Sequence, residues 1–429
     1  MQPRQHDASP KLPLETMRPT SAALGSKKGF TKELDKEVIN SMHKTLLGGE
    51  RDLPPAWGSQ GLTFREQGMR CGLTQHEGGP CGVLAAVQAF VLRELLLDEN
   101  APPLAELPPE AAGEALIGAL AHIIWSARMG RLANVVVCKR PTLPSLRESA
   151  GEFICTECKS ADDVAAAVRA GIGAFMRAPG VAMLLYSLLL TRGIAMVQRD
   201  ADFPATLIAP NGYCAQELVN LLLYGRAHSN VFDGEQTVGG EAGTAEGCRL
   251  RGTPRRSPVG FLTLFERQGE PGSLLQVALA CHLAVLMPCS PHAASAARPQ
   301  PRLHPHQVGS HLKRPGCAVF VLQSESHYSV LWAPGAAPDL ELPLEESAPA
   351  DGMEGYGDDF EADTEEGGGA PGPDELGDGS AAAFRWGGAA PFDGAFDLMY
   401  FDQMGEATEP VRVRDRCNTR DRARGRGRV

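Results

Sequence analysis

One run constrains this chain more than any other: GLTQHEGGPCGVLAAVQAF, Gly72 to Phe90, which joins a glycine- and proline-bearing turn to an apolar, helix-forming segment. Pro80 is compatible with a helix start, so a helix is predicted from Cys81 to Asp98. One reading of the run is structural, a tight turn entering a buried helix. The other is catalytic. A cysteine in the first turn of a helix sits where backbone N–H groups lack partners and the positive end of the helix dipole points. Both favour thiolate over thiol, and thiolate is the nucleophile. Gly78 and Gly79 remove side chains that would obstruct an extended substrate near the sulfur. Gln75 lies just upstream, and a turn through the glycines brings its amide beside the sulfur, as a donor to the oxyanion formed when Cys81 attacks a carbonyl carbon.

A nucleophilic cysteine needs a base from elsewhere in the chain. Of eleven histidines, His6, His282, His292, His304 and His306 sit in regions poorly suited to a site, and His76 is expected to point away from the sulfur. His327 is the best candidate, in the strand-like SESHYSVLW, where apolar neighbours would fix its ring. Taken alone it reads better as a satisfied histidine on a sheet edge, and the combination with Gln75 and Cys81 is what favours the catalytic reading.

Composition sets the background. The chain has 429 residues, 43% hydrophobic and 22% charged, which suits a globular protein with one large or two ordinary domains. Eleven cysteines without a regular framework are expected to be mostly reduced, in a cytosolic or nuclear compartment. The polar N-terminus lacks the apolar core of a signal peptide. The apolar runs Val181–Leu190 and Leu274–Cys289 fall short of the roughly 20 residues that span a bilayer. No membrane association is expected.

Residues 1–28 are polar and proline-bearing and read as a disordered tail. Helical patterns dominate the first part of the chain, from KELDKEVINSMHKTLLGG at Lys32 to GYCAQELVNLLLYG, with NVVVCK as a strand between them. From Val259 onward, VGFLTLFE and CAVFVLQSESHYSVLWA are rich in β-branched and aromatic residues. Helices first and strands later predict an α+β domain over 29–410, with a helical half facing a small sheet across a cleft. Two inserts interrupt it. Residues 267–306 carry an apolar run and a low-complexity tail, and 333–390 hold an acidic, glycine-rich stretch with too little apolar area to offset its ordering entropy. Residues 411–429 read as an arginine-rich tail with eight arginines from Arg412 to Arg428, and nucleic acid is not the expected partner.

CTEC at Cys155 and Cys158 has zinc-ligand spacing but no second pair, so no metal is expected. GEAGTAEGC lacks the lysine of a phosphate loop. Tyr213, Gln216 and Asn220 recur at helical spacing and suit either a partner-facing surface or a polar helix face.

The motifs QHEGGPCGVLAAVQAF, LLYSLLLTRG, GYCAQELVNLLLYGRAHSNVFDG, VGFLTLFE, VGSHLK, SESHYSVLW and FDLMYFDQ, taken in order, resemble the MINDY deubiquitinases. Within that family they look most like the branch of the third and fourth members, nearest the fourth. The resemblance spans most of Cys71 to Asp402, leaving out the two inserts. It implies a papain-like cysteine isopeptidase that cleaves polyubiquitin, with lysine-48-linked chains preferred and no cofactor or metal. By motif, Cys81 would be the nucleophile, Gln75 the oxyanion donor and His327 the general base. Gly78 and Gly79 would then line a narrow channel for the glycines that end ubiquitin. For the group that orients His327, Asp397, Asp402 and Ser329 all stay open. A ubiquitin-binding scaffold that hydrolyses little is the alternative function.

Overall fold

A computed structural model describes residues 30–49, 51–238, 248–264, 307–324, 326–333, 395–405 and 410–416. The expected N-terminal tail and the insert 267–306 lie outside the described residues, as does nearly all of 333–390 and the end of the arginine-rich stretch.

The chain runs β1 (Thr31–Glu33), α1 (Lys36–Leu47), α2 (Pro55–Gly58), α3 (Cys81–Leu97), α4 (Pro109–Ser126), β2 (Ala133–Cys138), β3 (Phe153–Cys158), α5 (Ala161–Phe175), α6 (Gly180–Arg192), α7 (Ile194–Asp200) and α8 (Gln216–Tyr224). There follow β4 (Glu235–Val238), β5 (Cys248–Arg251), β6 (Gly260–Thr263), a short helix α9 (Ser310–Lys313), β7 (Val319–Ser324), β8 (His327–Trp332), β9 (Ala395–Phe401) and β10 (Val411–Arg416). The mixture of helix and sheet is the α+β class.

The helix α3 is the centre of the molecule. Every residue from Cys81 to Leu92 is buried, and the helix packs on α4 and α8 on one side and on β7 and β8 on the other. A helix apolar on all faces has no solvent side to choose, so it sinks to the middle. Each fully buried Val, Leu or Phe there is worth roughly 1.5–3 kcal/mol relative to exposure. The helix α6 is buried along nearly its whole length in the same way. No single described helix is long and apolar enough to cross a membrane.

A five-stranded sheet in the order β10-β9-β8-β7-β6 closes the other side. Its pairs are antiparallel except β6 with β7, which run parallel. Phe261, Val319, Val321, Val330, Trp332 and Phe401 turn into the core beside α3. Leu262, Phe320 and Leu331 form a smaller cluster with Leu398 and Tyr400. Strand alternation divides the two sets.

The structure departs from the sequence reading at two places, the segment at Lys32 and the stretch from Val411. The segment from Lys32 begins as strand, Thr31–Glu33, and its helix starts only at Lys36. The cause is β3, whose Ile154, Cys155 and Thr156 pair with those three residues, so a distant partner overrides local helical spacing. CTEC belongs to that same β3: Cys155 and Cys158 are both buried there, with thiols bonded to Asn134 Oδ1 and the Thr156 carbonyl. Burial raises these thiols to about 11 and about 12. Finally, Val411–Arg416, read as the start of a tail, forms the edge strand on β9. The VRVRDR alternation suits a strand, and an edge tolerates charge better than the middle of a sheet.

Candidate active site

The turn before α3 is shaped by its glycines. Gly79 has φ of +132°, and a Cβ there would stand 2.9 Å from Trp57 Nε1 and 3.2 Å from the Gly212 carbonyl oxygen. Trp57 Nε1 itself donates to that oxygen at 2.9 Å, so indole and loop fill the space that Gly79 leaves. A Cβ on Gly78 would meet nothing within 4 Å. The two glycines therefore differ: Gly79 makes room for protein, and Gly78 for whatever approaches from outside.

Cys81 is the first residue of α3, with Pro80 as its cap. Its thiol lies 3.6 Å from the backbone carbonyl oxygen of Ser326, the residue before His327. This brings the start of α3 against the start of β8. His327 opens β8 and pairs with Ser324 across a tight turn. Its Nε2 donates to Asp402 Oδ2 at 2.8 Å. That leaves Nδ1 for the cysteine, and the imidazole is held between the two. The hydrogen bond to Asp402, then that to Cys81, raise His327 from its ordinary 6.5 to about 10, outweighing the opposing effect of burial. Burial acts on Asp402 in the upward direction, but hydrogen bonds from His327 and from the Met404 and Gly405 backbone N–H groups, together with the His327 charge, bring its carboxyl below the ordinary value.

Of the three candidates for orienting His327, Asp402 is bonded to the ring. Ser329 is buried two residues along β8. Asp397 lies within β9, its backbone paired with Arg414.

Gln75 is buried beside this centre. Its backbone N–H donates to the Gln403 carbonyl at 3.1 Å, and its side-chain Nε2 donates to the Glu77 carbonyl at 2.7 Å, using one of two hydrogens. Its Oε1 is buried without a hydrogen-bond partner.

Several residues that the sequence did not single out support the site. Residues 63–74 form a small antiparallel hairpin, with a Phe64–Leu73 bridge, that leads straight into Gln75. Gln88, a lone amide in the apolar α3, accepts from the Leu73 N–H at 2.7 Å and donates to the Cys71 carbonyl at 3.0 Å. Gln60 donates to the Thr74 carbonyl and accepts from the His76 N–H. A polar residue inside an apolar run was the available signal for Gln88, since a buried amide has to find partners. Tyr213, Gln216 and Asn220 resolve differently. Asn220 is buried and donates to the carbonyls of His228 and Asn230, with Gln216 bonded to it, so these two tie α8 to the following loop. Likewise Asp233, in the GRAHSNVFDG motif, accepts from the Ser310 and His311 N–H groups and caps α9.

Among the described residues no group of three or more His, Cys, Asp or Glu side chains is arranged to hold a metal ion.

Fold and site together define an α+β protein in which a cysteine at the N-terminus of a buried helix faces a histidine–carboxylate pair on a sheet. The profile described as "Deubiquitinating enzyme MINDY-3/4, conserved domain" matches residues 44–278, more than half of the chain, and the chain belongs to that family. It is 35% identical over 286 residues to the probable ubiquitin carboxyl-terminal hydrolase MINDY-4 of Xenopus tropicalis, covering 64% of this chain and 33% of that protein. To the human protein of the same name it is 33% identical over 326 residues, 72% of this chain and 38% of the relative. Human ubiquitin carboxyl-terminal hydrolase MINDY-3 is 29% identical over 335 residues, 70% of this chain and 65% of the relative. The chain thus spans little more than a third of the length of these MINDY-4 relatives. No solved structure gives a significant match.

Proposed function

We propose that this chain is a cysteine isopeptidase of papain-like design that hydrolyses ubiquitin chains, those linked through lysine 48 of ubiquitin among them, in the cytosol or nucleus. The observation that carries the reading is the Cys81–His327–Asp402 arrangement, in a chain whose relatives bear the name ubiquitin carboxyl-terminal hydrolase.

Asp402 favours the imidazolium form of His327 at neutral pH, so in the reacting form His327 faces the Cys81 thiolate and acts first as an acid. Cys81 Sγ attacks the carbonyl carbon of ubiquitin's terminal glycine and forms the carbon–sulfur bond. The carbonyl oxygen takes up negative charge, met by the α3 N-terminus and by the second Nε2 hydrogen of Gln75. The tetrahedral adduct collapses, the isopeptide C–N bond breaks, and His327 passes its proton to the departing lysine amine. A thioester remains. Water then attacks it while the now neutral His327 takes the water's proton, and Cys81 leaves as thiolate with the site restored. Open space at Gly78 gives the substrate's last glycines their path.

The test is a ubiquitin probe with a C-terminal electrophile, followed by cleavage of chains of each linkage, with Cys81→Ala as control. Covalent labelling at Cys81 and chain cleavage that vanish in the variant support the proposal. A wild-type protein that binds chains but neither labels nor cuts them sinks it and leaves the ubiquitin-binding scaffold.

A further inference from the structure

Asp402 stands one residue beyond the end of β9, where sheet pairing no longer fixes the backbone. An orienting carboxylate has to be held within about 0.5 Å of its working position to align an imidazole. Its own turn holds it locally, with the Met404 N–H donating to Asp402 Oδ1 at 2.9 Å and the Gly405 N–H to the Asp402 carbonyl oxygen at 3.2 Å. Met404 is exposed, and Gln403 is buried with neither side-chain polar atom hydrogen-bonded. Arg65 ties this turn to the hairpin. Its Nη2 donates to the backbone carbonyl oxygens of Asp402 at 2.9 Å, of Gly405 at 2.9 Å and of Gln403 at 3.4 Å. The guanidinium also lies over the Phe401 ring, 4.8 Å from its centroid.

Arg65 stands on a firm base. Its own N–H donates to the Gly72 carbonyl, closing the hairpin that Gln88 ties to α3. Thr63 Oγ1 and the Leu62 N–H bond the carbonyls of Met176 and Phe175 at the end of α5. Gly72 on the same hairpin packs so closely against Phe401 that a Cβ would fall 2.5 Å from its ring edge. The hairpin leads into Gln75, whose N–H bonds Gln403. One rigid unit therefore carries the oxyanion donor and also grips the segment bearing the orienting carboxylate.

We infer that Arg65 is a positioning residue for the reaction, which through the Asp402 backbone sets the carboxylate on His327 and keeps the imidazole aligned with Cys81. The inference rests on the isopeptidase reading for its kinetic consequence, and on geometry alone for its effect on the cysteine. Arginine suits the task because its planar guanidinium lies over the Phe401 ring while Nη2 donates to the backbone carbonyls, an arrangement a lysine ammonium does not offer.

The experiment compares wild type with Arg65→Ala, Arg65→Lys, Asp402→Asn and the Arg65→Ala/Asp402→Asn double variant. Thermal melting first checks that each is folded. Two quantities are then measured: kcat and KM on ubiquitin bearing a C-terminal fluorogenic amide, and the pH profile of iodoacetamide alkylation at Cys81, read by peptide mass. Loss of alignment should lower kcat of Arg65→Ala by about 100-fold with KM nearly unchanged, the scale of a displacement of about 1 Å. Arg65→Lys should lie between. The double variant should be no worse than Asp402→Asn, because both changes remove one interaction chain. The alkaline inflection of Cys81 alkylation should move to lower pH in Arg65→Ala.

Wild-type kcat and an unmoved inflection in folded Arg65→Ala overturn the inference. So do losses that multiply in the double variant, since a merely structural arginine would act independently of Asp402. If Arg65→Ala does not fold, Arg65→Lys carries the same comparison. Should wild type cleave no ubiquitin substrate, the isopeptidase reading fails, and the alkylation profile still decides the role of Arg65.

Discussion

His327 and Asp402 are 75 residues apart in the chain, yet Nε2 of one donates to Oδ2 of the other at 2.8 Å. This bond stabilises the imidazolium form of His327, whose ring also bonds Cys81. Both groups stand partly exposed, so the cleft is open to solvent and reagents.

Asp402→Asn should keep the geometry while removing the charge. An asparagine can still touch the ring but no longer stabilises the imidazolium, and elsewhere the loss of such a carboxylate costs about 10⁴-fold in kcat. A fall in kcat of about 100-fold or more, with little change in KM, is the expected outcome in steady-state assays. An activity within twofold of wild type would remove Asp402 from the mechanism.

The raised His327 makes a stability prediction of definite sign. The native protein holds the imidazole proton up to about pH 10, whereas the unfolded chain releases it near 6.5. Stability from this group is therefore fully present below about pH 6.5 and is lost as pH rises through about 10. The melting-temperature difference between wild type and His327→Ala should shrink across that window, as scanning calorimetry at pH 6, 8 and 10 would show. A difference that grows with pH would contradict the ion-pair assignment.

Gly78 and Gly79 should respond oppositely to alanine. At Gly79 the positive φ and the contact with Trp57 predict a destabilisation of about 1–3 kcal/mol from strained backbone. At Gly78 a methyl has open space, so the melting temperature should hold while kcat/KM for ubiquitin substrates falls. Denaturation and kinetics on the same two variants separate these effects, and equal losses of stability at both positions would remove the channel argument.

Far from the site, Arg192 and Asp200 form a buried ion pair with two hydrogen bonds, at 2.6 and 2.8 Å, and Asp200 also accepts from the Ala227 N–H. Removing one partner leaves the other charge buried alone. Asp200→Ala should cost about 3–5 kcal/mol in urea denaturation. Replacing both residues by apolar ones of similar size should cost less.

The sequence by itself determined the elements whose information is local. A glycine-proline turn before an apolar run places Cys81 at a helix start. Alternating β-branched and aromatic residues place His327 on a strand. Both are legible because helix and strand periods are written over a few neighbouring residues. Tertiary structure alone decided the rest. Asp397, Asp402 and Ser329 are equal in the sequence, and only the pairing of β9 beside β8 brings Asp402 to the His327 ring. Thr31–Glu33 becomes strand only because β3 lies beside it. Arg65 gives no local sign of its reach across 337 residues to the Asp402 carbonyl. Such partners meet because packing around α3 brings the hairpin and the sheet edge together, and that free energy is summed over the whole core rather than encoded near either residue.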